Sequence, residues 1–127
     1  FAVRARQAKR NLLYFLISVK ERGASICGYG APGKGNTLLN YCGIGTDFLD
    51  FTVDRNPYKH GRFTPGMHIP ILPVEAIDRH RPDYILILPW NLKAEIVAQM
   101  RHVGEWGAKF VVPIPEVAIL DPLEDLS

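Results

Sequence analysis

The sequence predicts an α/β fold: an open, mostly parallel sheet of four or five strands with helices on both faces. Short apolar runs alternate with amphipathic segments, the order expected of a parallel sheet built from right-handed crossovers. One run, Asp83-Tyr84-Ile85-Leu86-Ile87-Leu88, is apolar without a break after its first residue, as a strand covered on both sides must be. A glycine-rich turn, GYGAPGKGNT from Gly28 to Thr37, follows a short apolar run and opens a helix-like one. The arrangement these three imply is Rossmann-like.

Residues 2–22 form the first helix, because Ala5, Ala8, Leu12, Phe15 or Leu16, and Val19 recur at three- and four-residue spacing before a stop at Gly23. Residues 24–27 are the first strand, and a second helix runs over 35–42 to Gly43. Residues 51–54 are the second strand, closed by the turn residues Asp54-Arg55-Asn56-Pro57. Residues 58–73 are rich in glycine, proline and histidine and read as a long loop with one extended piece at 69–72. Pro73 starts a short helix that ends before Arg81-Pro82. After the strand at 83–88, Asn91 is the expected N-cap of a helix reaching Val103, with Leu92, Ile96, Val97, Met100 and Val103 on its apolar face. Residues 109–112 are the last strand, stopped by Pro113-Ile114-Pro115. A single domain over 1–127 is expected. Opening on Phe1, the chain reads as a fragment of something longer.

Bulk composition narrows the function classes. With 47% apolar residues among 127, the chain is long enough to bury a core. Its net charge of +2 implies no nucleic-acid partner, and no apolar run is long enough to imply a membrane. The basic residues Arg4, Arg6, Lys9 and Arg10 read as the solvated face of the first helix. Cys27 and Cys42 lack metal-ligand spacing and read as buried apolar side chains, suited to a reducing cytoplasm. No metal site, acid–base pair or nucleophile–base pair is visible, so no catalytic residue is assigned.

The glycine loop carries the chemistry. Gly28-Tyr29-Gly30-Ala31-Pro32-Gly33 fits GxGxxG, and Asp54 ends the next strand, where a dinucleotide fold places its ribose-binding acid. Against a dinucleotide, Pro32 removes an amide and Lys34 adds a cation. A nucleoside-triphosphate loop is excluded, because Gly35 stands where a magnesium-binding hydroxyl is needed. Alternatively the glycines serve only close packing of helix on strand, although Lys34, Asn36 and Thr37 are polar beyond the needs of a turn. Ligands of such sheets bind outside the carboxyl ends of the strands. The candidate binding residues collected there are Tyr29, Gly30, Lys34, Asn36, Thr37, Asp54, Asn56, Lys59, Trp90 and Asn91. Arg55, His60, Lys93 and Glu116 lie near the same ends.

The ordered blocks KGNTLLNYCGIG, DRNPYKHG, PGMHIPI and LPWN, followed by WGAKFVVPIPEV, resemble the C-terminal domain of the sugar C-methyltransferases of deoxysugar and antibiotic-sugar biosynthesis. The resemblance runs from the first helix to Val117; the family commonly has alanine where this chain has Pro32. It implies a nucleotide-linked keto sugar, such as a dTDP-keto-deoxysugar, bound with help from this domain. It also implies a preceding methyltransferase domain that binds S-adenosylmethionine, and zinc on a further N-terminal domain, both absent from this chain. Methylation in such enzymes proceeds through an enolate formed next to the ketone. The resemblance thus implies no cofactor on this domain and no activity for it alone. Two alternatives stay open on the residues themselves: an NAD(P)-binding domain of an oxidoreductase, and a purely structural or dimerising domain built on the basic first helix.

Overall fold

In a computed structural model of the chain, residues 2–123 are described; Phe1 and residues 124–127, the two ends of the expected domain, lie outside the described residues. The elements are α1 (Ala2–Glu21), β1 (Ile26–Tyr29), α2 (Gly33–Cys42), β2 (Thr52–Val53), β3 (Ile71–Leu72), α3 (Ala76–His80), β4 (Tyr84–Ile87), α4 (Lys93–Gln99), β5 (Lys109–Val112) and β6 (Ala118–Leu120). The six strands form one sheet in the order β3-β2-β1-β4-β5-β6. Every pairing is parallel except β5 with β6. This is the α/β, Rossmann-like fold expected, with the chain reversing its direction of winding between β1 and β4.

Side-chain alternation explains the layers. Along β4, Ile85 and Ile87 point to one side of the sheet, Leu86 and the following Leu88 to the other. On the first side they meet Ala76 and Ile77 of α3 and Ile96 and Val97 of α4. On the second they meet Leu12, Leu16 and Val19 of α1 and Leu39 of α2. All four of these residues are fully buried, so the sheet is covered on both faces and its loops carry whatever polar chemistry the domain has.

Several boundaries differ from those expected. The first strand lies two residues later, so Gly28 and Tyr29 are strand rather than loop, hydrogen-bonded between β2 and β4. The sheet gains two short strands. The extended piece at 69–72 joins it as β3, and β6 follows the proline stop as an edge strand, where Ile119 is half exposed. Strands of two or three residues with little two-sided burial have no periodicity to read; their partners make them strands. The helix expected to reach Val103 is three pieces: a 3-10 turn at Trp90–Leu92, α4, and a 3-10 run at Arg101–Trp106. Asn91 is not its N-cap; it lies within the first 3-10 turn, and Leu92 precedes α4 without a side-chain cap. No helix among the described residues is long and apolar enough to cross a membrane.

Both cysteines are free and buried. Burial pushes the Cys27 thiol well above its usual range, with Asp50 adding to the rise, and raises that of Cys42, with Lys9 opposing. A raised thiol pKa leaves the unreactive protonated form at neutral pH. Neither cysteine is therefore expected to react with a disulfide reagent at pH 8 until denaturant is added; rapid native-state labelling of either would contradict this. Leu86, at the centre of the sheet, is a second test. Leu86→Ala should lower unfolding free energy by about 2–5 kcal/mol in urea titration.

Candidate functional site

The loop after β1 turns at Gly30, whose φ of +93° lies in the region that favours glycine; a Cβ there would also sit 2.7 Å from Pro89 Cδ. Gly35 is needed for a different reason. A Cβ on it would be 2.9 Å from Leu88 Cβ, so its absence lets α2 settle against the end of β4. Gly33, between them, faces open space. The glycines thus combine a packing role, as one reading of the sequence expected, with an exposed helix start.

That helix start is uncapped. Pro32 holds the N-cap position in extended conformation, makes no side-chain cap, and no acid stands in the first turn. The first intrahelical bond runs from Asn36 N–H to the Pro32 carbonyl at 2.9 Å. The amides of Gly33, Lys34 and Gly35 meet no protein acceptor among the described residues. Three bare N–H groups at the positive end of a helix dipole form an anion-attracting surface. Lys34 stands beside them, its Nζ donating to Asn91 Oδ1 and lying 4.8 Å above the Trp90 ring. Asn91, read as a helix cap, thus serves to position this lysine. Thr37 turns its hydroxyl back to the Gly33 carbonyl at 3.0 Å. The side-chain oxygen of Asn36 is buried without a hydrogen-bond donor. An apolar groove of about 630 Å³, walled by Leu38, Tyr41, Trp90 and Ile114, runs past Lys34.

Asp54 has a role that spacing alone did not reveal. One carboxylate oxygen accepts the Ala31 amide at 3.0 Å and lies 3.7 Å from Lys59 Nζ; the other accepts the Asn56 amide at 2.9 Å. Lys59 Nζ also donates to the Ala31 carbonyl at 3.2 Å. The pair therefore clasps both polar groups of Ala31 and holds the glycine loop to the end of β2. His60 donates from Nε2 to the Asp54 carbonyl at 2.6 Å. Asn56 caps the 3-10 turn at Pro57–Lys59 by accepting from Tyr58 N–H. With its carboxylate so engaged, Asp54 is not free in the way a ribose-binding acid is.

On the α3 and α4 side of the same edge lies a second recess. Arg55 reaches across it and donates to Gln99 Oε1 at 2.9 Å. Tyr29 forms its floor, and burial raises the phenol above its usual pKa, with Arg55 opposing and Asp54 reinforcing the shift. The structure thus divides the predicted residues between two sides of the sheet: Lys34, Thr37, Trp90 and Asn91 by α2, Tyr29 by α4, with Gly30, Asp54 and Lys59 around the connecting loop. Glu116 lies apart, beside Arg4 and Gln7 of α1. Two contributors escaped the sequence. Gln99 looked like any solvated helix residue, and Thr52, fully buried, donates to the Gly30 carbonyl at 2.7 Å and fixes the turn. An isolated threonine in a strand gave the sequence no signal of that bond.

Comparison with known proteins adds to this geometry. A family model described as the C-methyltransferase C-terminal domain matches residues 1–115. The C-methyltransferase NovU of Streptomyces niveus is 38% identical over 120 residues, covering 94% of this chain and 29% of that protein. The chain therefore spans less than a third of that relative's length. Among solved structures, UDP-D-quinovosamine 4-dehydrogenase from Vibrio fischeri aligns with a TM-score of 0.51 and 20% identity over 73% of this chain and 79% of that chain. Likeness at that identity shows the fold alone.

The Asp54 clasp has a direct test. Asp54→Ala strands the amides of Ala31 and Asn56 and frees Lys59, and should cost about 1–3 kcal/mol of stability in urea unfolding. An unchanged midpoint would show that the clasp does not hold the loop.

Proposed function

The chain belongs to the family of C-methyltransferase C-terminal domains, and we propose that it binds the nucleotide-linked sugar substrate of a longer C-methyltransferase. The observation that carries this reading is the uncapped start of α2 with Lys34 beside it. A diphosphate matches such a place: its oxygens accept from the free amides while Lys34 supplies the opposing charge. Asn36 and Thr37 line the same turn of helix, and Trp90 offers an amphipathic ring next to the cation.

S-adenosylmethionine fits these residues poorly. Its sulfonium is a cation, which bare amides and Lys34 repel, and Asp54 is already engaged by Ala31, Asn56 and Lys59. Among the described residues no three His, Cys, Asp or Glu side chains gather as metal ligands. The methyl donor and zinc belong, on this reading, to the parts of the protein that precede this domain. The residues here receive no methyl-transfer step; they hold and orient the keto sugar by its nucleotide end in a cytoplasmic enzyme.

Calorimetry of the intact protein with a dTDP-linked keto-deoxysugar tests the reading. Lys34→Ala removes a charge-assisted contact and should weaken binding about tenfold or more, with turnover falling alongside. Affinity should also drop as salt is raised, since the interaction is ionic and partly exposed. Asn56→Ala acts through its cap and should lower stability more than affinity. Unchanged sugar affinity in Lys34→Ala, or micromolar binding of NAD or NADP in place of the sugar, would overturn the proposal.

A further inference from the structure

We propose that the outer face of α1 is a docking surface, and that it takes an acidic face of the part that precedes this domain in the longer protein. The inference rests on the reading that the chain closes a longer C-methyltransferase. It adds which surface joins the domain to the rest, and what chemistry covers that surface. The match makes up 29% of NovU and the family is described as a C-terminal domain, so most of that relative lies before the matched stretch.

The helix is longer than the sheet requires. Its 20 residues extend about 30 Å, against roughly 13 Å for the four-residue β1. From Val3 to Asn11 no side chain is buried; burial begins at Leu12 and returns at Leu16 and Val19. On the opposite side Val3, Arg10, Tyr14 and Ile17 follow at steps of seven, four and three residues and share one face. Val3 is 75% exposed, Tyr14 70% and Ile17 43%. Apolar, tyrosine and arginine side chains together suit an interface better than a solvated helix. The adjoining flank is open as well, since Ala5 forms part of the wall of the apolar groove past Lys34.

Charge specifies the partner. No acid stands in the first turn of α1, and Arg4, Arg6, Lys9 and Arg10 all come before its first acid, Glu21. Cations at the positive end of a helix dipole are unfavourable, and Arg6 and Arg10, four residues apart, repel one another. None of the four forms a salt bridge among the described residues; Lys9 lies 5.2 Å above the Tyr41 ring. Carboxylates on an opposing surface offset both penalties at once. A second copy of this chain supplies none along this stretch, because its own α1 is equally basic there. A phosphate backbone would satisfy the arginines and leave Val3, Tyr14 and Ile17 without apolar cover. The preceding part has a further advantage: it is tethered to the start of α1, so it meets this face at high effective concentration.

Carbodiimide, which joins a lysine amine directly to a carboxylate, tests the contact in the intact protein. Mass spectrometry should find Lys9 joined to an Asp or Glu upstream of this domain, within one polypeptide, at a yield that falls as salt is raised. Arg6→Glu combined with Arg10→Glu should lower that yield about tenfold and speed proteolysis between the domains, with helix content by circular dichroism unchanged. Tyr14→Ser leaves the charges in place and should speed the same cleavage, which tests the apolar part separately. Links from Lys9 to a second copy only, or no link at all, would overturn the docking surface. So would an unchanged yield and cleavage rate in the charge-reversed protein. Lys34→Ala keeps the sugar reading distinct: it should weaken the dTDP-linked sugar and leave the Lys9 link intact. If the link forms while Lys34→Ala binds the sugar undiminished, the sugar reading falls and the docking surface stands.

Discussion

The parallel pairing of β1 with β4 is the constraint on which the rest depends. Four residues are in register, from Ile26 opposite Tyr84 to Tyr29 opposite Ile87, so both strands leave the sheet at the same level. Gly30 and Pro89 then meet side by side, and the turn at Gly30 must have its left-handed backbone and no side chain to clear the proline ring. The start of α2, the Trp90–Leu92 turn and the end of β2 are all brought to that corner. Because helices cover both faces of these strands, polar chemistry is confined to the edge where they end.

At that edge, charge is distributed by local pairing. Lys59 is matched by Asp54, and Arg55 is tied to Gln99, but Lys34 has no acidic partner among the described residues. Asn91 and Trp90 hold it in place without neutralising it. A net charge of +2 over the chain says little about such a corner, since screening limits each charge to neighbours within about 10 Å. An uncompensated lysine beside three unbonded amides makes a strong local preference for anions in a nearly neutral protein. Family membership and this preference support one another, while the dehydrogenase likeness extends only to the way the strands are wound.

Much of this architecture was legible from residue patterns. The long helix, the strand at 83–88 and the glycine turn each carry strong local signals: helical spacing, an unbroken apolar run, and residues with special backbone freedom. Tyr29 was named as a candidate but placed in the loop, because two glycines beside it look like turn and not strand. Asp54 was placed at the correct strand end, yet its partners are Ala31, Asn56 and Lys59. An acid at that spacing suits a ribose or a loop clasp equally well. Gln99 was missed altogether, since its contact with Arg55 joins residues far apart in the chain.

What the sequence determined by itself was the kind of fold, the position of the glycine turn, and through its ordered motifs the family. Those properties depend on local spacing and residue type, which a linear chain displays openly. Tertiary structure alone decided that β3 and β6 join the sheet, that Asn91 positions Lys34 and caps no helix, and that Asp54 closes on the loop. It also set Tyr29 beneath Arg55 and Gln99. Each of these turns on which groups meet across the fold, and on which carboxylates, amides and hydroxyls find partners once solvent is excluded.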